Sequence, residues 1–174
     1  MKIERGDLIF VAHRGLLPSL IRKATQCQYN HVEMVLNEKE CVGAGFGGVK
    51  IGSIDEYKRL LSKKKLNFDV YEFDSLKVSD KQIEDILWYI KKQVGRPYDF
   101  FQFFCLALFL IMHLNRLIEP IDVRNAWLCS ELIAEAAYAA GLEFQLGRVD
   151  PDNISPSDIA KSDLTLFKGH GTSF

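Results

Sequence analysis

Residues 125–141 read NAWLCSELIAEAAYAAG, and this stretch predicts a helix that begins close to Cys129. Its centre is rich in helix-forming residues, and Gly141 is a natural C-terminal cap because glycine readily adopts the left-handed conformation required there. A cysteine in the first turn of a helix lies among unpaired backbone N–H groups, at the positive end of the helix dipole. Both effects favour the thiolate over the thiol, so Cys129 is a candidate nucleophile.

The composition is that of an ordinary folded protein, with 48% hydrophobic and 26% charged residues among 174. We therefore expect a single domain across residues 1–174. The 22 basic and 23 acidic residues nearly balance, which argues against nucleic acid as a partner. The N-terminus lacks the apolar core of a signal peptide, so the expected location is the cytoplasm, where thiols stay reduced.

The cysteines show no spacing typical of metal ligands, such as Cys-x-x-Cys, so we expect no metal site built from them. They are Cys27, Cys41, Cys105 and Cys129. At least three of the four are expected to be packing residues, because free cysteine is among the most buried residue types.

The order of predicted elements indicates the α+β class. Strands are predicted at residues 7–12, 31–36, 40–44, 67–73 and 164–167, and a frayed tail at 168–174. Helices are predicted at residues 53–61 and from a capping box at Ser79 to just before Gly95. The strands at 31–36 and 40–44 form a predicted hairpin.

One segment is strongly apolar: residues 100–114 read FFQFFCLALFLIMHL, interrupted only by Gln102 and His113. It is shorter than the roughly 20 residues that a helix needs to span a bilayer. We interpret residues 100–120 as an apolar helical insertion that is buried against the domain. A surface in peripheral contact with a membrane is the alternative, and a lipid substrate would accompany it.

A nucleophilic cysteine needs a base within hydrogen-bond reach. The histidines are His13, His31, His113 and His170. His170 falls in the predicted tail, His113 follows the apolar run, and the neighbours of His13 suggest no polar partner. His31 begins a predicted strand, from which a ring can project into a cleft from a rigid element.

Five short segments in chain order resemble the permuted NlpC/P60 group of papain-like cysteine hydrolases, the YaeF/YiiX-like amidases. They read GDLI at 6–9, NHVEMV at 30–35, GRPYDF at 95–100, LCSELI at 128–133 and SPSDIA at 155–160. In the permuted group the histidine strand precedes the cysteine, as His31 precedes Cys129 here. The resemblance implies a permuted papain-like fold, with a central antiparallel sheet packed against helices.

The resemblance also implies roles for individual residues. Cys129 is the implied nucleophile and His31 the base. Tyr98, in the Gly-x-Pro-Tyr motif, is a candidate to line the site and help hold the oxyanion, with a packing role as the alternative. The implied reaction cleaves an amide bond in a peptide or a cell-wall-peptide-like substrate, through a thioester and without a cofactor. The substrate's apolar part would meet the 100–114 run.

The sequence departs from the family where the third catalytic residue is expected. Relatives place a polar residue, often His or Glu, just before an alanine on the next strand, and here Gly43 precedes Ala44. Glycine has no side chain that could orient an imidazole. Glu33 is a candidate substitute because residues two apart on a strand point to the same face, as His31 and Glu33 do. A backbone carbonyl, a water or an inactive site are the alternatives.

Two other functions therefore stay open at this point. The first is a lipid or acyl-ester hydrolase, or an acyltransferase, of the same fold, and the apolar run at 100–114 motivates it. The second is a catalytically silent binding domain, which Gly43 motivates.

Overall fold

The computed structural model describes residues 1–16, 18–19, 22, 27–45, 47–97, 129–144 and 154–171. Its strands are β1 (Leu8–His13), β2 (His31–Val35), β3 (Glu40–Gly45), β4 (Gly48–Ser53), β5 (Leu66–Phe73) and β6 (Thr165–His170). Its helices are α1 (Ile54–Ser62), α2 (Asp80–Lys92), α3 (Cys129–Ala139) and α4 (Pro156–Lys161). Tyr98 and the predicted insertion at 100–120 lie outside the described residues.

The strands form one antiparallel sheet in the order β4-β3-β2-β1-β5-β6. The predicted α+β class with a central antiparallel sheet is confirmed. β1 lies between β2 and β5, with Val11 opposite His31 and His13 opposite Leu66. Because the neighbouring strands run in opposite directions, β2 and β5 begin at the end of the sheet where β1 stops.

Helices cover both faces of the sheet, and the alternation of side chains along β1 shows how. Leu8 and Phe10 pack into the cluster that contains the buried residues of α2 and α3. Ile9 and Val11 pack on the opposite face, against α1. Successive side chains of a strand point to opposite faces, so a strand covered on both sides is apolar at every position. Among the described residues, no helix has the length and apolar character needed to cross a membrane.

The predicted helix signals are confirmed at α2 and α3. The Ser79 side chain and Gln82 form a complete capping box at the start of α2. α3 ends at Ala139, and Gly141 just beyond it has a φ of +76°, while the Leu142 N–H donates to the Ala137 carbonyl at 2.9 Å. This is the pattern of a glycine-terminated helix.

The last strand extends further than the sequence predicts. The tail was expected to begin at Lys168, but β6 continues through His170. The Lys168 ammonium lies 3.0 Å from Asp7 Oδ2 and 3.3 Å from Glu72 Oε2. These partners are distant in sequence, so a local pattern carries no sign of them. Burial raises the pKa of Asp7, and the ammonium beside it opposes that shift.

Substituting Lys168→Met should lower the free energy of unfolding by about 2–4 kcal/mol, because it leaves the buried Asp7 carboxylate without its cation. Methionine keeps the apolar stem, so lost packing is a minor part of the effect. Urea denaturation measures the change. Lys2→Met is the control, since Lys2 pairs with Glu4 on an exposed surface and should leave stability nearly unchanged. Equal losses in the two variants would contradict the prediction.

Candidate active site

The structure brings Cys129 and His31 together. Cys129 is the first residue of α3, as predicted, and α3 packs across β2 and β3. His31 is the first residue of β2, and its ring is hydrogen-bonded to the Cys129 sulfur. Cys129 is 6% exposed and the His31 side chain 13% exposed, so both groups are largely removed from water.

Glu33 supports the histidine from the same strand. His31 Nε2 lies 2.9 Å from Glu33 Oε1, and Glu33 is buried. Because Nε2 is engaged by the carboxylate, Nδ1 is the ring nitrogen left for the sulfur of Cys129. A carboxylate bonded to one ring nitrogen fixes the tautomer and the orientation of the imidazole. The contact is the one that the spacing of His31 and Glu33 predicts.

A side chain at residue 43 would occupy the space that the Glu33 side chain fills. A Cβ atom added to Gly43 would lie 2.7 Å from Glu33 Cγ and 3.1 Å from the carbonyl oxygen of Val32. Real Cβ atoms do not come as close as the first of these distances. The absence of a side chain at residue 43 is therefore what allows the Glu33 side chain to lie beside His31.

Two further residues hold the Glu33 carboxylate. The Cys41 thiol donates to Glu33 Oε2 at 2.8 Å, and Tyr57 of α1 is hydrogen-bonded to the same carboxylate. Burial raises the pKa of Glu33, but hydrogen bonds from His31, Cys41 and Tyr57 outweigh it and hold that pKa below its usual value. Glu33 is thus a carboxylate at neutral pH despite its burial.

Neither of these donors follows from the sequence pattern. The sequence predicts a packing role for Cys41, and Tyr57 carries no local signal of its contact. The predicted hairpin could have identified Cys41, because residues 41 and 43 share the face of the sheet on which Glu33 lies. Tyr57 reaches the site only through the packing of α1 on the sheet, which no pattern within α1 predicts.

The electrostatics of Cys129 and His31 favour a charged thiolate and a charged imidazolium. Burial raises the pKa of Cys129, but its hydrogen bond to His31 and the charge of that ring outweigh burial and leave the pKa below the usual thiol value. Burial lowers the pKa of His31, but hydrogen bonds to Cys129 and Glu33 raise it to about 10. Both shifts favour a thiolate beside an imidazolium at neutral pH.

Backbone N–H groups also stabilise the sulfur. Those of Val32 and Ser130 both bond to Cys129, and each lowers its pKa. The pairing of β2 with β3 covers Met34 opposite Val42 and Val35 opposite Cys41. Val32 lies beyond this paired part, so its N–H is directed at the sulfur instead of at a carbonyl of β3.

A second histidine lies close to the pair. The rings of His13 and His31 are 6.3 Å apart between centroids. Burial and the charge of His31 lower the pKa of His13, so His13 is the neutral neighbour of a cationic ring. The sequence around His13 indicates no partner, because the proximity of the His13 and His31 rings arises from the pairing of β1 with β2.

The predicted role of Tyr98 concerns a residue outside the described part of the chain, and it stays a prediction.

No protein-family model and no curated protein matches the chain by sequence. Its fold is similar to that in the crystal structure of YiiX from Escherichia coli O157:H7. The two share 19% identity with a TM-score of 0.67, over 97% of this chain and 98% of that one. The likeness supports a YiiX-like fold for this chain.

The E. coli protein is described as a metalloprotein. In this chain, the residues that the structure describes include no group of three or more His, Cys, Asp or Glu side chains that could hold a metal ion. The donors closest to Cys129 are instead engaged with one another, as His31 with Glu33 and Glu33 with Cys41.

Proposed function

We propose that this protein is a cysteine-dependent hydrolase of the permuted NlpC/P60 type. Its substrate would be an amide bond in a peptide or a cell-wall-peptide-like molecule. The observation that carries the proposal is the continuous hydrogen-bonded chain from Cys129 through His31 to Glu33. The order of the elements supports it too, because the histidine strand β2 precedes the cysteine helix α3, as in the permuted group.

In the proposed reaction the Cys129 thiolate attacks the amide carbonyl carbon, and a tetrahedral oxyanion forms. As the C–N bond breaks, His31 gives its Nδ1 proton to the leaving amine, and a thioester remains on Cys129. His31, now neutral, takes a proton from water as that water attacks the thioester. The acid product leaves, and the thiolate–imidazolium pair is restored. Glu33 holds the Nε2 side of the ring throughout.

The alternative of a catalytically silent binding domain depends on Gly43 leaving His31 without an orienting group, and the contact between Glu33 and His31 favours the hydrolase over it. The alternative of a lipid or acyl-ester substrate arose from residues 100–114, which lie outside the described part of the chain. Hydrolysis of peptide amides and of phospholipid vesicles, compared side by side with Cys129→Ala as the blank, discriminates between the two substrate classes.

The thiol itself provides a test that needs no substrate. At about pH 6 we expect iodoacetamide to modify Cys129 well before Cys27 or Cys41, because only a thiolate reacts quickly and ordinary thiols are protonated there. Cys27, Cys41 and Cys129 are all buried and free, so Cys27 and Cys41 serve as controls for access. Peptide mapping by mass spectrometry gives the rate at each site. If Cys129 reacts no faster than the other two, the proposed function fails.

A further inference from the structure

A cavity of about 480 Å³ lies at the end of the sheet where β2 begins, but across β1 from His31. Its walls come from the end of β1, the start of β5 and the end of β6, among them Asn67, Asp69 and His170. This volume is in the range of small-molecule sites in proteins, which are about 300–1,000 Å³. The chemistry assigned to Cys129 uses none of these residues.

A buried carboxylate holds the histidine of this cavity in place. Asp69 is 8% exposed, and its Oδ1 lies 2.7 Å from Nδ1 of His170. The hydroxyl of the buried Tyr29 donates to Asp69 Oδ2 at 2.6 Å. The His170 side chain is 67% exposed, and an exposed histidine ordinarily samples several rotamers. Here the carboxylate orients the ring by Nδ1 and leaves Nε2 for a ligand, and Nε2 donates a hydrogen bond to an anion when the ring is the imidazolium.

A bulge in β6 puts His170 in this position. Tyr71 pairs with Phe167, whereas Val70 pairs with Gly169, so β6 contains one extra residue at Lys168. Without that extra residue, Gly169 would lie opposite Asp69, and the histidine would be displaced along the strand. Bulges commonly re-aim a side chain beside a functional site. The same extra residue is the lysine that pairs with Asp7.

The remaining walls give the cavity an excess of positive charge. Arg14 and Arg22 both line it, while the charge of Asp69 is already engaged by His170 and Tyr29. Arg22 is held by the carbonyl of His13, and Arg14 donates to Asn67 Oδ1 at 3.1 Å. Guanidinium groups recognise carboxylates and phosphates through charge-assisted hydrogen bonds. Leu61 and Phe68 supply an apolar wall beside these donors.

We propose that this cavity binds a small anion through Arg14, Arg22 and the imidazolium form of His170, with a carboxylate or phosphate group as the recognised chemistry. An apolar portion of the ligand would pack against Leu61 and Phe68. This site is separate from the proposed hydrolase function and does not depend on it.

Titration of ¹⁵N-labelled protein with inorganic phosphate, and separately with acetate, tests the proposal through the ring signals of the histidines. We expect a saturable shift of the His170 signals, identified by their loss in His170→Gln, beyond that caused by sodium chloride at equal ionic strength. Binding of one anion or of both supports the site and identifies which group it prefers. If neither anion produces a saturable shift beyond the chloride baseline, the proposal is overturned.

The arginines provide the matched variants. Arg14→Gln should weaken the binding about tenfold or more, because a charge-assisted hydrogen bond is lost. Arg59→Gln is the control, since Arg59 lies on α1 outside the cavity and pairs with Glu56. Equal weakening in the two variants would show a general effect of charge and would also overturn the site.

Discussion

Replacing His31 by Gln is expected to slow the alkylation of Cys129 at about pH 6 by roughly a hundredfold. The imidazolium holds the pKa of Cys129 below the usual thiol value, whereas burial alone would raise it. Without the cation, burial prevails and the thiol stays protonated at this pH. The rate of reaction with iodoacetamide, measured from pH 5 to pH 11, reports the thiolate fraction in both proteins.

The sign of the pH dependence follows from the two shifts. In the native protein the alkylation rate should fall only as the pH drops through the lowered pKa of Cys129. In His31→Gln the same fall should occur at a higher pH. Amide hydrolysis has a second limit, because the leaving amine needs the His31 proton, whose pKa is about 10. Turnover should therefore decline above pH 10, while alkylation does not.

His13→Gln is the control for the His31 substitution. His13 lies near the same ring but is neutral, so its loss removes no cation from the sulfur. Its alkylation profile should stay close to that of the native protein. Coincident profiles for His31→Gln and the native protein would exclude His31 as the source of the lowered thiol pKa.

The sequence predicts the parts of the site that local patterns encode. The helix at Cys129 follows from helix-forming residues and the cap at Gly141, and the strand at His31 follows from its apolar alternation and the turn after it. The relation of His31 to Glu33 follows from the period of a strand alone. Each of these statements needs only residues that are close together in the chain.

The contacts that local patterns could not reach all depend on packing between elements. Tyr57 meets Glu33 because α1 lies on one face of the sheet, and Val32 meets the sulfur because the pairing of β2 with β3 stops short. Lys168 meets Asp7, which is distant in the sequence, only because β6 lies near the start of β1 in the fold. None of these partners has a sequence position that its own neighbours specify.

The orienting group of His31 also depends on packing between strands. Glycine at residue 43 indicates, from the sequence alone, that this group is missing. The position in the fold that the group must occupy is beside His31 Nε2, and a side chain from either β2 or β3 could reach it. Only one of the two can be present, because the added Cβ and Glu33 Cγ would be 2.7 Å apart. A glycine on one strand is then the steric condition for a carboxylate on the other.

Gly43→Ala should consequently lower the free energy of unfolding by about 1–3 kcal/mol, as overpacking of a buried site does. It should also displace Glu33 from His31 and lower amide hydrolysis by roughly a hundredfold or more, since the orientation of the ring is lost. Urea denaturation and turnover measure the two effects. Gly52→Ala is the control, because its Cβ would lie 3.5 Å from both Cys41 Sγ and Glu33 Oε2, an ordinary contact.

A paired exchange separates the loss of the carboxylate from the steric damage. Glu33→Ala should remove the orienting group, and Gly43→Glu alone should clash with Glu33. Combining Glu33→Ala with Gly43→Glu removes Glu33 Cγ and supplies a carboxylate from β3, so turnover should recover well above that of either single variant. Recovery of this kind cannot come from two independent destabilising changes, which would add. A double variant no more active than the more active single variant would show that the orienting role cannot be moved between the strands.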